Sequence, residues 1–331
     1  MTHVQQGRRR RGAERSMVPE ADFTSYYGRP IVKPSPWEAD IPAYLFAGGL
    51  AAGSSLIAAG ADLTGRPTLR RAGRLAAVGA LGFSMAALVH DLGKPSRFLN
   101  MLRTVKLTSP MSVGTWILST YGPFAGAAAA AEVTGLLPER YGRTSPLPLV
   151  SWLGRPAGLV AALTAPPVAA YTAVLLADTA TPAWHSAYKE LPFVFVASGS
   201  AAAAGLGMIA APTAETAPVR RMAVAGALAE LAMEHRMERS MGVTAETLHQ
   251  GKVGRLMRAA KVLTAAGAAG ALLAGRSRVV AAASGAALLL GSACTRFGVF
   301  EAGQESAKDP KYTVVPQRER LEREGPVRYH P

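Results

Sequence analysis

Read from one charged residue to the next, the chain divides into long apolar runs joined by short polar ones. Ile41 to Ala61, Leu107 to Ala131, Ala157 to Ala177 and Leu191 to Ala214 contain no Asp, Glu, Lys or Arg. At 1.5 Å per residue, roughly 20 such residues cross the ~30 Å hydrocarbon core of a bilayer, so four membrane helices are expected. Weaker runs at Leu75 to Val89, Met222 to Met233, Val262 to Gly275 and Val279 to Thr295 are short, but Arg or Lys at their ends can snorkel to the interface. Together they predict an all-α, polytopic bundle of about eight spans, the sixth interrupted by Glu230 and followed by Glu234. A soluble eight-helix bundle would show a polar stripe every 3.6 residues, which these runs mostly lack.

Polar tails at both ends dilute the mean hydropathy to +0.16. The expected organisation is a basic tail over 1–36, a transmembrane bundle over 37–298 and a polar tail over 299–331 able to dock a partner. Gly, Ala and Ser crowd the spans, as in Ala47-Gly48-Gly49-Leu50-Ala51-Ala52-Gly53, and are read as allowing close helix packing. A single cysteine, Cys294, excludes a structural disulfide, a Cys-rich zinc site and an iron–sulfur cluster held by this chain alone. Haem is not expected either, because only His90 and His235 fall at span ends. The net charge of +14 is scattered among loops and tails without a nucleic-acid motif, so it is assigned to orientation and lipid contact. Arg8-Arg9-Arg10-Arg11 has no apolar run behind it before Trp37, and a cleaved signal is not expected.

Eight crossings put both tails on one face, face A, with the loops Asp91–Lys106 and Asp178–Glu190 and the segment Glu234–Arg258. Face B carries the turns around Arg66–Arg74, Glu139–Arg155, Glu215–Arg221 and Arg276–Arg278. Loop Lys and Arg are nearly balanced between the faces, and the basic tails favour a cytoplasmic face A. Pro166-Pro167 in the fourth span predicts a kinked or broken helix beside a cavity.

Alternation also gathers the polar residues. Tyr44 opens the first span, His90 and Asp91 close the second, Ser109, Ser112 and Trp116 open the third, and Tyr171 and Asp178 close the fourth, all at face A. Such a set suits an amphipathic redox carrier: a phenol or imidazole bonds a quinone carbonyl, a carboxylate carries the proton and aromatic rings pack the head group. An interfacial aromatic belt would equally account for Trp116, Tyr121 and Trp184, and Asp91 could instead pair with Lys94 or Arg97. Glu132 and Glu230, at or within the spans, are candidates for a proton relay, although Glu132 could sit among head groups and Glu230 could pair with a neighbouring helix.

The stretches Tyr44-Leu45-Phe46-Ala47-Gly48-Gly49, His90-Asp91-Leu92-Gly93-Lys94-Pro95-Ser96-Arg97-Phe98, Ser109-Pro110-Met111-Ser112-Val113-Gly114-Thr115-Trp116, Tyr171-Thr172-Ala173 with Pro182-Ala183-Trp184, and Arg296-Phe297-Gly298-Val299-Phe300-Glu301 occur in an order that resembles the NrfD family, the membrane subunits similar to those of polysulfide reductase. The resemblance covers roughly Trp37 to Pro316. It implies a haem-free quinone-reactive anchor in the bacterial cytoplasmic membrane, joined to a ferredoxin-like iron–sulfur subunit and often to a molybdopterin catalytic subunit. In relatives the position of Tyr44 can be a histidine bonding the quinone carbonyl, and a tyrosine similar to Tyr171 faces the other end of the ring. Tyr44 is a far weaker base than histidine at neutral pH, which shifts the proton role to His90 or Asp91.

The reading is therefore of an oxidoreductase membrane subunit exchanging electrons and protons with menaquinone or a related quinone. Formate dehydrogenase is the expected whole complex, and proton translocation is left open. His90 and Asp91 are the expected catalytic residues, and Tyr44, His90, Asp91, Arg97, Trp116 and Tyr171 the expected quinone contacts. The rivals are a transporter, favoured by Glu230 and the Pro-interrupted helix, and a passive anchor for a redox partner.

Overall fold

The computed structural model describes residues 30–93, 100–103, 105–136 and 147–324. Among them the regular structure is entirely helical: α1 (Asp40–Leu63), α2 (Pro67–Asp91), α3 (Pro110–Thr134), α4 (Leu147–Ala177), the short α5 (Pro182–Ser186), α6 (Leu191–Ala210), α7 (Ala217–Ser240), a 3-10 turn (Gly242–Leu248), α8 (Gly251–Leu273), α9 (Arg278–Lys308) and α10 (Lys311–Glu324). Proline in the first turn begins α2, α3, α5, α6 and α7, where its missing N–H has no intrahelical partner to lose. Two ends are closed by distant side chains. Glu215 accepts the Leu69 amide at the start of α2 (2.9 Å), and the Arg278 guanidinium donates to the Met208 carbonyl at the end of α6 (2.7 Å), a cation on the negative end of a helix dipole.

Among the described residues six helices are long and apolar enough to cross a membrane: α1, α2, α4, α6, α8 and α9. The third expected span, the charge-free run from Leu107 to Ala131, does form a 25-residue helix, α3, but its Ser, Thr, Gly, Tyr and Trp content keeps it out of that group. The interrupted sixth span forms the 24-residue α7, which Arg220, Arg221, Glu230 and Glu234 likewise keep out. The expected break at Pro166-Pro167 is absent. α4 stays helical through Pro156, Pro166 and Pro167, and the Thr164 hydroxyl bonds the Val160 carbonyl (2.9 Å) just before the pair. α9 continues through position 298 to Lys308, so the segment expected as a polar tail begins inside a helix.

Sequential helices pack as hairpins, and α1 and α6 join the two halves of the bundle. Their apolar windows are 78% and 67% buried, against 28% in α2 and α8. The join depends on missing side chains. A Cβ on Gly53 would stand 2.6 Å from the Ala203 Cβ, and one on Gly199 would stand 3.1 Å from the Gly49 Cα. Backbones approach this closely only where small residues face each other, which supplies the dispersion contact that lipid cannot. We expect Gly53→Leu to separate the halves at a cost of about 3 kcal/mol or more. A collapsed yield of monodisperse protein in mild detergent, with Gly60→Leu in open space as the tolerated control, checks this.

At face A the first and last parts of the described chain meet. Trp184 of α5, 1% exposed, donates its Nε1–H to the Val299 carbonyl of α9 (2.9 Å) and packs between Trp37 and Phe300. Gln304 of α9 donates to the carbonyls of Ser35 and Trp37, and Lys311 pairs with Glu246 of the 3-10 turn, whose carboxylate holds the ammonium above its usual range. Trp184 is thus a core residue here and no part of an interfacial belt.

Candidate functional site

Tyr44 lies one turn into α1 and is buried; its carbonyl accepts the Ser84 hydroxyl of α2 (3.1 Å). Its phenol hydrogen-bonds the phenol of Tyr171, carried by the face A half of α4. The Tyr171 ring lies flat against α3 at Gly114, where any Cβ would overlap it. These contacts fix both phenols at the floor of a narrow cleft whose walls include Ile41, Leu88, Asp91, Met111, Thr115 and Leu175. Asp91 is the carboxylate among the described lining residues.

The structure thus brings Tyr44, Asp91 and Tyr171 together from three helices, and it separates the other expected residues. His90 precedes Asp91 on the same helix, and successive helical positions point about 100° apart, so both cannot face one cleft. The His90 side chain is 81% exposed outside it, with Nδ1 2.7 Å from Asp40 Oδ2. Trp116 sits on the far side of α3 from Gly114. With Ser112, Ile117, Leu163, Thr164 and Pro167 it lines a separate apolar groove of about 350 Å³ on the outer surface between α3 and α4, which places a cavity beside the proline pair. Arg97 lies outside the described residues. Asp178 is exposed, and Ser109 is the N-cap of α3. Tyr121 is fully buried, donating to the Ala51 carbonyl (3.0 Å) and bonded to the Ser55 hydroxyl (2.7 Å), so it ties α3 to α1 and lies in no belt.

Glu132 sits in neither the cleft nor open head groups. It is buried at face B, where Arg70 Nε donates to its Oε1 (2.6 Å), Arg74 Nη1 donates to the same atom (3.0 Å) and Arg71 Nε lies 3.6 Å from Oε2. Asp62 joins Arg70, Arg74 and Arg155, so the cluster clamps the face B ends of α1, α2, α3 and α4. With these partners Glu132 ties α3 to α2. We expect Glu132→Leu, which strands the buried Arg74, to destabilise the protein by about 3 kcal/mol. Thermal unfolding of the purified chain measures it, with turnover per assembled complex unchanged.

Glu230 is 1% exposed and lies at the centre of a second polar group that the sequence only partly indicated. The Thr295 hydroxyl of α9 donates to Glu230 Oε1 (2.8 Å). The next residue, Arg296, is fully buried; its Nη2 donates to the Phe195 carbonyl (2.6 Å), and its guanidinium lies 3.8 Å from the centre of the Phe195 ring. Ser198 and Ser292 bond each other beside them (2.8 Å). Arg296 was legible as part of a motif, but its position within electrostatic reach of Glu230, without a direct ion pair, was not. The available signal was one acid and one base in otherwise apolar runs of opposite sign.

A quinone fits the cleft in kind: two phenols that can donate, a carboxylate that can hold a proton, and apolar walls. The cleft measures about 40 Å³, enough for water but not for a ring, with the two phenols bonded to each other. Among the described residues no three His, Cys, Asp or Glu side chains gather as a metal site. The sequence pattern of the family described as "Polysulphide reductase, NrfD" matches residues 31–245. No curated protein matches the chain.

Proposed function

From the premise that this chain belongs to the polysulphide reductase NrfD family, we propose that it is the quinone-reactive membrane subunit of an oxidoreductase complex. The observation that carries the reading is the cleft itself, where two phenols and a carboxylate from α1, α2 and α4 meet at the face that also holds both described chain ends. The family and the six apolar helices make the chain a membrane protein. We extend the count to eight spans, because α3 packs along α4 and α7 along α6 over comparable lengths, with face A as the cytoplasmic side of a bacterial membrane.

A quinone, menaquinone or a relative, would supply the capacity to take up or release electrons together with protons. The residues of this chain would do the rest. Tyr44 Oη and Tyr171 Oη, which now bond each other, would turn to the ring oxygens and orient the head group. Gly114 leaves room for the Tyr171 ring to hold that position. Asp91 would hold the exchanged proton on its carboxylate, at the edge of the cleft nearest the exposed His90–Asp40 pair, through which face A water is reached. Ile41, Leu88, Met111 and Leu175 would exclude water from the ring.

With one cysteine, the chain would exchange electrons with a partner that carries the metal centres. We assign that role to a ferredoxin-like iron–sulfur subunit seated on face A, with a molybdopterin subunit beyond it and formate dehydrogenase as the working identity of the complex. Purification of the tagged chain from native membranes in mild detergent tests this, with mass spectrometry of every co-purifying polypeptide and quinone. An iron–sulfur protein, its catalytic subunit and bound quinone are expected. A lone chain without quinone would overturn the reading in favour of a transporter.

A further inference from the structure

The buried stripe of α7 changes character halfway along its length. Val219, Ala223, Gly226 and Ala227 occupy its face B half, and Glu230, Glu234 and Glu238 follow on the same side at intervals of four. The first two carboxylates are each 1% exposed. Glu238 is half-buried, and its Oε1 accepts from Lys261 Nζ of α8 (2.7 Å), which lies 3.6 Å from Glu234 Oε1. His249 Nε2, on the face A loop and more than half exposed, stands 3.9 Å from the other Glu238 oxygen. A line of ionisable groups thus runs from face A water to Glu230, Thr295 and Arg296 in the middle of the bundle.

The line stops there. Towards face B the same stripe enters an apolar cluster built from Ile57, Leu69, Ala204, Met208, Val219 and Leu288. Within the line, Glu230 Oε2, Glu234 Oε1, and Nε and Nη1 of Arg296 are buried without a hydrogen-bond partner in the protein. Buried polar atoms in this state call for water, and polar groups this close together give it the partners it needs.

We propose that this stripe is a one-sided proton entry: water and protons reach Glu230 and Arg296 from face A through Glu238 and Glu234, and do not pass on to face B. A proton released by water or buffer at face A binds a Glu238 oxygen. One moves from Glu238 to Glu234 and another from Glu234 to Glu230, so Glu238 and Glu234 end as they began and Glu230 carries the delivered proton until its consumer at the centre takes it. Arg296 holds the charge of Glu230 in place there and leans on α1 at Gly49, five residues, or about 8 Å of helix, below Tyr44. Only the consumer of that proton rests on the quinone reading.

The test uses the intact complex in sealed vesicles of both orientations. The chain has one cysteine, so single cysteines at 223, 227, 234 and 238 are placed in a Cys294→Ala background and probed with a membrane-impermeant methanethiosulfonate. Cysteines at 234 and 238 should react from face A alone, and those at 223 and 227 at least about 100-fold more slowly from either side, because only a hydrated thiol ionises and reacts. Labelling at 223 or 227 from face B as fast as at 238, or no labelling at 234 from face A, overturns the proposal. If Glu234→Cys does not assemble, an impermeant carbodiimide with glycine methyl ester on the unaltered complex gives the same decision. Glu234 modified from face A supports the path, and Glu234 left unmodified overturns it. None of these readouts needs quinone, so the path and the quinone site fail separately. Where quinone turnover is measurable, Glu234→Gln should slow it about tenfold or more at unchanged assembly, and an unchanged rate removes the proton role.

Discussion

Asp91→Asn should leave the complex assembled and lower quinone-linked turnover by about 100-fold, the lower end of what a positioned acid–base group contributes. The amide keeps the size and hydrogen-bonding reach of the carboxylate but cannot act as an acid or a base near neutral pH. The loss should therefore fall on the maximal rate, with quinone affinity changed little. The measurement is turnover of the purified complex against a soluble quinone, normalised to bound partner subunit. His90→Gln is the informative comparison, because its ring is outside the cleft and paired with Asp40, so its effect should be several-fold smaller. If both substitutions cost the same, the assignment of the proton to the cleft wall is wrong. If Asp91→Asn abolishes assembly instead, the carboxylate is a structural anchor for the segment after α2.

Glu230→Leu should be the most damaging single change in the bundle. It leaves Arg296, fully buried and already short of partners on Nε and Nη1, without the acid that offsets its charge. Leaving a buried charge without its nearby counter-charge costs up to about 3–5 kcal/mol, enough to consume much of the stability of a typical domain. Glu230→Leu/Arg296→Met should recover most of the folded protein, because the pair is replaced by apolar groups of similar size. The four corners of this cycle are read as the fraction of chain that remains monodisperse and partner-bound after a heat step. A double variant no better than the single one would show that Arg296 and Glu230 do not depend on each other. A double variant that assembles but turns over slowly would separate the structural use of the pair from its use in proton delivery.

How far the sequence reached can be judged residue by residue. The absence of charge over Ile41 to Ala61 and Leu191 to Ala214 determined that α1 and α6 exist and that they belong in a membrane, because no other placement satisfies so long an apolar surface together with its backbone. The alternation of spans then determined that Tyr44, Asp91 and Tyr171 share an end of the bundle. The family pattern over residues 31–245 agrees with the resemblance carried by those motifs. The same reasoning ended the sixth span at Met233 and placed Glu234 and Glu238 in the face A segment beyond it. In the structure α7 continues to Ser240, since Lys261 of α8 faces them.

Depth along a helix was thus legible and direction around it was not. One-dimensional order places a residue near face A or face B, but which neighbour it meets depends on how each helix is rotated, and small-residue contacts such as Gly49 with Gly199 and Gly53 with Ala203 set that rotation. This is why His90 and Asp91, adjacent in the chain, have different surroundings, and why Trp116 faces an outer groove while Gly114 supports the Tyr171 ring. It is also why Glu132 is locked by arginines of α2 while Glu230, equally apolar in its context, accepts from Thr295 of α9. The sequence by itself determined the membrane class, the helical architecture and the end of the bundle at which Tyr44, Asp91 and Tyr171 lie. The tertiary structure alone decided which polar side chains meet, because the energy of a buried charge depends on the partner a few ångströms away and not on its position in the chain.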